Sequence, residues 1–122
     1  MIHKISHRGN TNGRELSREN HPGKLAEVSN SNYVELDVWF ENDQYWLGHD
    51  KPEYRTTLDF LKNDKFFCHA KNIPALIGMW TNGVHCFWHE NDHITFTSKG
   101  YAWKYPEVYL DGKLWGICSD WL

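Results

Sequence analysis

At 122 residues, 40% of them hydrophobic and 16% aromatic, the chain has the size of one domain and enough apolar mass for one core. A formal charge of −3, with Lys and Arg scattered along the chain, excludes the basic stripe that tracks a nucleic-acid backbone or docks on an anionic membrane. Cys68, Cys86 and Cys118 are odd in number and widely spaced in apolar surroundings, which excludes a disulfide scaffold and predicts reduced core thiols.

A short strand is expected at Ile2–Ser6, ended by His7-Arg8-Gly9 and a polar loop from Asn10 to Glu15. Pro22 to Ser29 reads as a short helix, weakened by Gly23. Tyr33 to Phe40 has strong strand propensity, and the turn signal Asn42-Asp43 leads to a second extended run, Gln44 to Leu47, as a hairpin or a returning extension. Thr57 suits the N-cap of a brief helix through Leu58, Phe60 and Leu61. Lys65 to Ala70 is the next strand. Asn72 then caps a helix with Pro74 in its first turn, in which Ile73, Leu76, Ile77 and Trp80 match the i, i+3, i+4, i+7 spacing of an apolar face and Gly83 marks the end. With a strand at Val84 to Trp88, residues 65–88 form a strand–helix–strand unit expected to be parallel. Further extended segments are expected at Ile94–Thr97, Tyr101–Tyr105 and Trp115–Ser119. Trp39, Trp46, Trp88 and Trp103 read as packing residues. No repeat or linker divides the chain, so residues 1–122 are read as a single domain.

No apolar run reaches the ~20 residues of a membrane span, and the N-terminal residues lack the core of a signal peptide. A cytoplasmic location without stable membrane insertion is the expectation.

Ionisable residues recur at the ends of successive strand candidates: His7 and Arg8, Glu35 and Asp37, His49 and Asp50, His69 and Lys71. In parallel α/β folds the carboxyl ends of the strands converge on the ligand site. Glu35 and Asp37 are two apart on a strand, so both carboxylates face one side while Leu36 and Val38 face the other. Two hard oxygen ligands on one rigid face suit Mg²⁺ or Ca²⁺. His69 and Lys71 repeat that spacing on the next strand. Arg8 and Lys71 suit a phosphate, and a pair of histidines suits proton transfer to and from its ester oxygens.

In this order and spacing, His7-Arg8-Gly9, Glu19-Asn20, Glu35-Leu36-Asp37-Val38 and His49-Asp50 resemble the glycerophosphodiester phosphodiesterases and the related phosphatidylinositol-phospholipase-C-like enzymes. The resemblance covers roughly the first 50 residues. Cys68-His69-Ala70-Lys71 resembles the family's third-strand segment, and Trp115 to Asp120 its last barrel strand. It implies an unusually short (β/α) barrel of the TIM type, with reduced helices and loops, that hydrolyses a small phosphodiester, a glycerophosphodiester above all. His7 and His49 would then be the acid/base pair, Glu35 and Asp37 the metal ligands, and Arg8, with Lys71, the phosphate contacts. Glu19 and Asn20 would support the site from the start of the first helix. The chain departs from the family at His69, where a third metal-binding carboxylate is usual. An imidazole there admits Mn²⁺ or Zn²⁺ beside Mg²⁺ or Ca²⁺. It departs also in length, since a full barrel takes ~250 residues. Two further readings use the same residues: a phosphate-binding module without turnover, and a phospholipase-type diesterase with another headgroup. A small-molecule phosphodiester is the expected partner, nucleic acid is not, and the chain would act as a monomer or homodimer.

Overall fold

A computed structural model describes residues 3–88, 94–100, 102–104 and 116–121. Nine strands and three helices occur among them: β1 (His3–His7), α1 (Pro22–Val28), β2 (Tyr33–Glu41), β3 (Gln44–Leu47), β4 (Tyr54–Thr56), α2 (Leu58–Leu61), β5 (Phe66–Ala70), α3 (Ile73–Thr81), β6 (Cys86–Phe87), β7 (Ile94–Phe96), β8 (Ala102–Lys104) and β9 (Gly116–Ser119). Ile2, Tyr101, Tyr105 and Trp115, assigned to strands above, lie outside the described residues.

Local signals account for most of these elements. The His21 ring accepts from Gly23 N at the start of α1, Thr57 Oγ1 caps α2 through Phe60 N, and Asn72 Oδ1 caps α3 through Ala75 N at 3.0 Å. Asn72 also bridges to the Phe40 backbone in both directions, so the cap locks α3 onto the end of β2. Asn42 and Asp43 both take positive φ, 54° and 60°, the conformation of a type I′ turn, and β2 and β3 close as an antiparallel hairpin. The brief edge strand β4, not foreseen in the sequence, pairs with β3.

The strands form one mixed sheet. Along β6-β5-β2-β1-β9-β8 every pairing is parallel, β7 joins β8 antiparallel, and the β3–β4 hairpin leaves the far end of β2. The unit over residues 65–88 is parallel, as its sequence suggests.

The expected TIM-type barrel is overturned: the sheet is open. Eight strand–helix repeats need ~250 residues, and the described residues hold only three short helices, a hairpin where a helix would follow β2, and two antiparallel segments. No ladder joins β6 to β7 among the described residues, although Cys86 exchanges two hydrogen bonds with Ser98 beyond β7. The open sheet nonetheless curls. Phe87 of β6 and Trp103 of β8 are five strand spacings apart, roughly 24 Å in a flat sheet, yet their rings meet edge-on at 5.2 Å.

Two apolar clusters lie on its opposite faces. The larger, with Leu25, Leu36, Val38, Leu61, Phe66 and Met79, lies between the sheet and the helices. The smaller, Ile5, Phe67, Phe87, Trp103 and Cys118, fills the inside of the curl. Cys68, Cys86 and Cys118 are buried free thiols, as expected. Trp103 is buried, whereas Trp88 keeps 39% of its surface exposed.

Helix α3 forms where expected, and Leu76 of the expected face packs against the core, but the helix is turned so that the rest of that face looks outward. Ala75 and Met79 are buried, while Ile73, Ile77 and Trp80 are 52%, 58% and 61% exposed. The reason is steric: Gly78 lies against the Tyr45 hydroxyl with no room for a Cβ, so the small residues Ala75 and Gly78 seat the helix on the sheet.

No described helix is long and apolar enough to cross a membrane.

Candidate metal centre

The polar site sits above the smaller cluster, on the concave face. Register builds it: His7 is opposite Glu35, and Asp37 opposite His69, so residues of β1, β2 and β5 meet on one face. Glu35, Asp37 and His69 supply the converging ligand atoms. His69 Nδ1 lies 3.2 Å from Asp37 Oδ1 and 3.8 Å from Glu35 Oε2. One ligand atom from each residue falls within 4.8 Å of the others, a cluster able to hold a metal ion.

The donors fit a divalent cation on a second ground. Glu35 Oε1 is buried without a hydrogen-bond donor, although buried carboxylate oxygens are ordinarily satisfied, and beside Asp37 Oδ1 stands the His69 ring. Burial first, and then the charge of Asp37, push the Glu35 carboxyl well above its usual range, against the pull of Arg8 and Lys71. Burial acts on Asp37 in the same sense, but His69, Arg8 and Asn20 outweigh it and hold that carboxyl at about 2. The pair therefore carries one firm negative charge and one carboxyl that resists ionising unless a cation arrives.

Asn20 secures Asp37 from behind. Its amide donates to Asp37 Oδ2 at 2.9 Å while its carbonyl oxygen accepts from Asp37 N at 2.8 Å. This double contact requires Asn20 to adopt φ 63°, a left-handed conformation that asparagine tolerates. His69 is held flat against Phe87, with ring centroids 4.9 Å apart and planes 14° apart.

The turn after β1 places Arg8. Arg8 and Gly9 both take positive φ, 57° and 86°, and Asn10 N donates to His7 O at 2.9 Å. The turn sends the guanidinium back over β2, where Nε stands 3.4 Å from Asp37 Oδ2 and NH1 donates to Glu19 Oε1 at 3.1 Å. Asn10 and Arg8 together draw the Glu19 carboxyl below its usual range despite burial, which acts the other way. Glu19 thus stays charged and holds Arg8, in keeping with the supporting role expected of it.

His7 is oriented by a residue 113 positions away. Its Nδ1 donates to Asp120 Oδ1 at 3.0 Å, and Asn10 Nδ2 donates to the same oxygen at 2.8 Å. Its Nε2 then faces Glu35 Oε1, 3.8 Å away. Neither Asn10 nor Asp120 was assigned a role from the sequence. The signal available for Asp120 was its place directly after a strand candidate, at the end where the other ionisable residues collect.

The structure therefore brings together His7, Arg8, Glu35, Asp37 and His69. Lys71 lies close enough to Glu35 to oppose its protonation, without an ion pair to it. The His49 ring bonds to Asp50 at 2.8 Å, and 40% of its side chain is exposed. Its neighbour Gly48 donates to Asp37 O at 3.2 Å and accepts from Trp39 Nε1 at 2.7 Å.

No family model, curated protein or solved structure matches this chain.

Proposed function

We propose that this site hydrolyses a small phosphodiester, with a glycerophosphodiester as the substrate class that the motif resemblance implies. The observation that carries the reading is the convergence of Glu35, Asp37 and His69 within 4.8 Å, beside His7 and Arg8. A divalent ion held by those three residues would polarise the phosphate. Two carboxylates suit Mg²⁺ or Ca²⁺, and the imidazole nitrogen admits Mn²⁺ or Zn²⁺.

The chain's own residues supply the rest. Arg8, anchored by Glu19, and Lys71 offset charge on the phosphoryl oxygens. His7, with Nδ1–H held by Asp120, offers Nε2 as the base that takes a proton from the attacking water. The P–O bond to the leaving alcohol breaks as His49, with its solvent-exposed ring, donates a proton to the departing oxygen. The products are a phosphomonoester and an alcohol.

A second reading, a phosphodiester-binding module without turnover, is favoured by one observation: of the two acid/base histidines His7 faces Glu35, whereas the His49 ring is bonded to Asp50. Cleavage of bis-p-nitrophenyl phosphate, after chelation and re-addition of each ion in turn, separates the two. The hydrolase reading expects metal-restored cleavage that falls roughly 10²–10⁴-fold in His7→Ala and in His49→Ala. Saturable binding of glycerophosphocholine with no product under any ion would establish the binding module instead.

A further inference from the structure

Seated on the sheet through Ala75 and Gly78, α3 turns Ile73, Ile77 and Trp80 outward. They stand at i, i+4 and i+7, so their side chains form one stripe along the helix. At its C-terminal end Trp80 and the part-exposed Trp88 border a cleft of about 430 Å³. The four side chains together present on the order of 450 Å² of apolar surface, within the range of patches that mark interaction sites. None of the nine residues of α3 is ionisable. The helix packs on the face of the sheet opposite the smaller cluster, and so away from the metal centre.

Charge and symmetry select the occupant. A helix that docks on a membrane surface carries Lys or Arg on its polar face, and α3 has neither. A second copy of the chain requires instead a surface complementary to itself. Ile77 is the central residue of α3, so a two-fold axis through it sets two such helices antiparallel. Ile77 then meets its twin, and the smaller Ile73 of each copy meets the larger Trp80 of the other. Along the helices no charge meets its like, although each chain carries −3. We propose that α3 is the interface of a homodimer, packed antiparallel about Ile77. Two copies of the patch bury about 900 Å² before the exposed Pro74 and Thr81 are counted, close to the ~1,000 Å² that a specific interface needs. Such an area gives a weak, reversible dimer with a dissociation constant on the order of 10–100 µM. The metal centre stays open in it, so the pairing is independent of what that site binds.

Sedimentation velocity over protein concentrations from about 1 to 500 µM tests the pairing. The weight-average mass should climb from that of one chain towards that of two. Ile77→Lys and Ile77→Glu, at an exposed position, should each weaken association at least about tenfold, because two like charges meet on the axis. Mixed in equal amounts, the two variants should pair again. A monomer at every concentration, or a dimer that both single variants retain, overturns the interface. A mixture that fails to pair overturns the antiparallel register. Where the charged variants fold poorly, Ile77→Cys takes their place: copper-catalysed oxidation should give a dimer linked through position 77 in peptide mapping, and a failure to cross-link counts against the register equally. Mass that rises past two chains without limit would mark non-specific association through the patch. Binding of the chain to phosphatidylcholine vesicles without self-association would mark a membrane-docking face, and either result overturns the dimer.

Discussion

Leu36 and Asp37 are adjacent on β2 and almost equally buried, at 0% and 1% exposure, yet they belong to opposite economies. Leu36 faces the helices, where every atom taken from water stabilises the fold. Asp37 faces the concave side, where desolvation is unfavourable and only Asn20, Arg8 and His69 make the burial tolerable. The comparison separates a face that holds the protein together from one kept at a cost in stability, which is the pattern of a functional site.

The sharpest way to break the contrast is Asp37→Ala. It leaves the Arg8 guanidinium and the Asn20 amide buried without their partner, and should cost about 3–5 kcal/mol in urea unfolding while removing metal binding measured by calorimetry. If stability held, the polar network would not be what supports that face. Leu36→Ala should cost roughly 2–5 kcal/mol by leaving a cavity among the helices, yet leave metal affinity unchanged. A parallel loss of metal affinity would mean that the two faces are mechanically coupled through the strand.

The smallest effect has the opposite sign. Because Glu35 has its proton affinity raised in the fold, it favours folding most below its unfolded pKa, and that contribution is lost as pH rises through the higher folded value. Glu35→Gln should therefore gain roughly 0.5–2 kcal/mol at neutral pH in chelator and flatten the decline. Asp37, held at about 2, contributes stability above its unfolded pKa that disappears as pH falls towards 2, so the acid limb should survive in Glu35→Gln. A divalent ion at a hundred times its Kd should stabilise the native chain by about 2.7 kcal/mol and reverse the order of the two proteins. Unfolding midpoints across pH, with and without metal, check all three statements.

The legible parts were local. Glu35 and Asp37 share a face because strand side chains alternate, and the Asn72 cap and the Asn42-Asp43 turn are read from a few neighbouring residues. The face of α3 was misread because the spacing of large apolar residues identifies a helix without saying which side meets the sheet. Here Gly78 against Tyr45 decided it. β4 was missed because three edge residues, Tyr54-Arg55-Thr56, carry too short a pattern to register.

By itself, then, the sequence determined where most strands and helices form and which ionisable residues end them, because turns, caps and side-chain alternation depend on neighbours along the chain. Only the tertiary structure decided that the sheet stays open, that Asp120 orients His7, that His49 bonds to Asp50, and that α3 leaves Trp80 exposed. Those outcomes follow from strand register, sheet curl and steric fit between residues far apart in the chain, which no local pattern encodes.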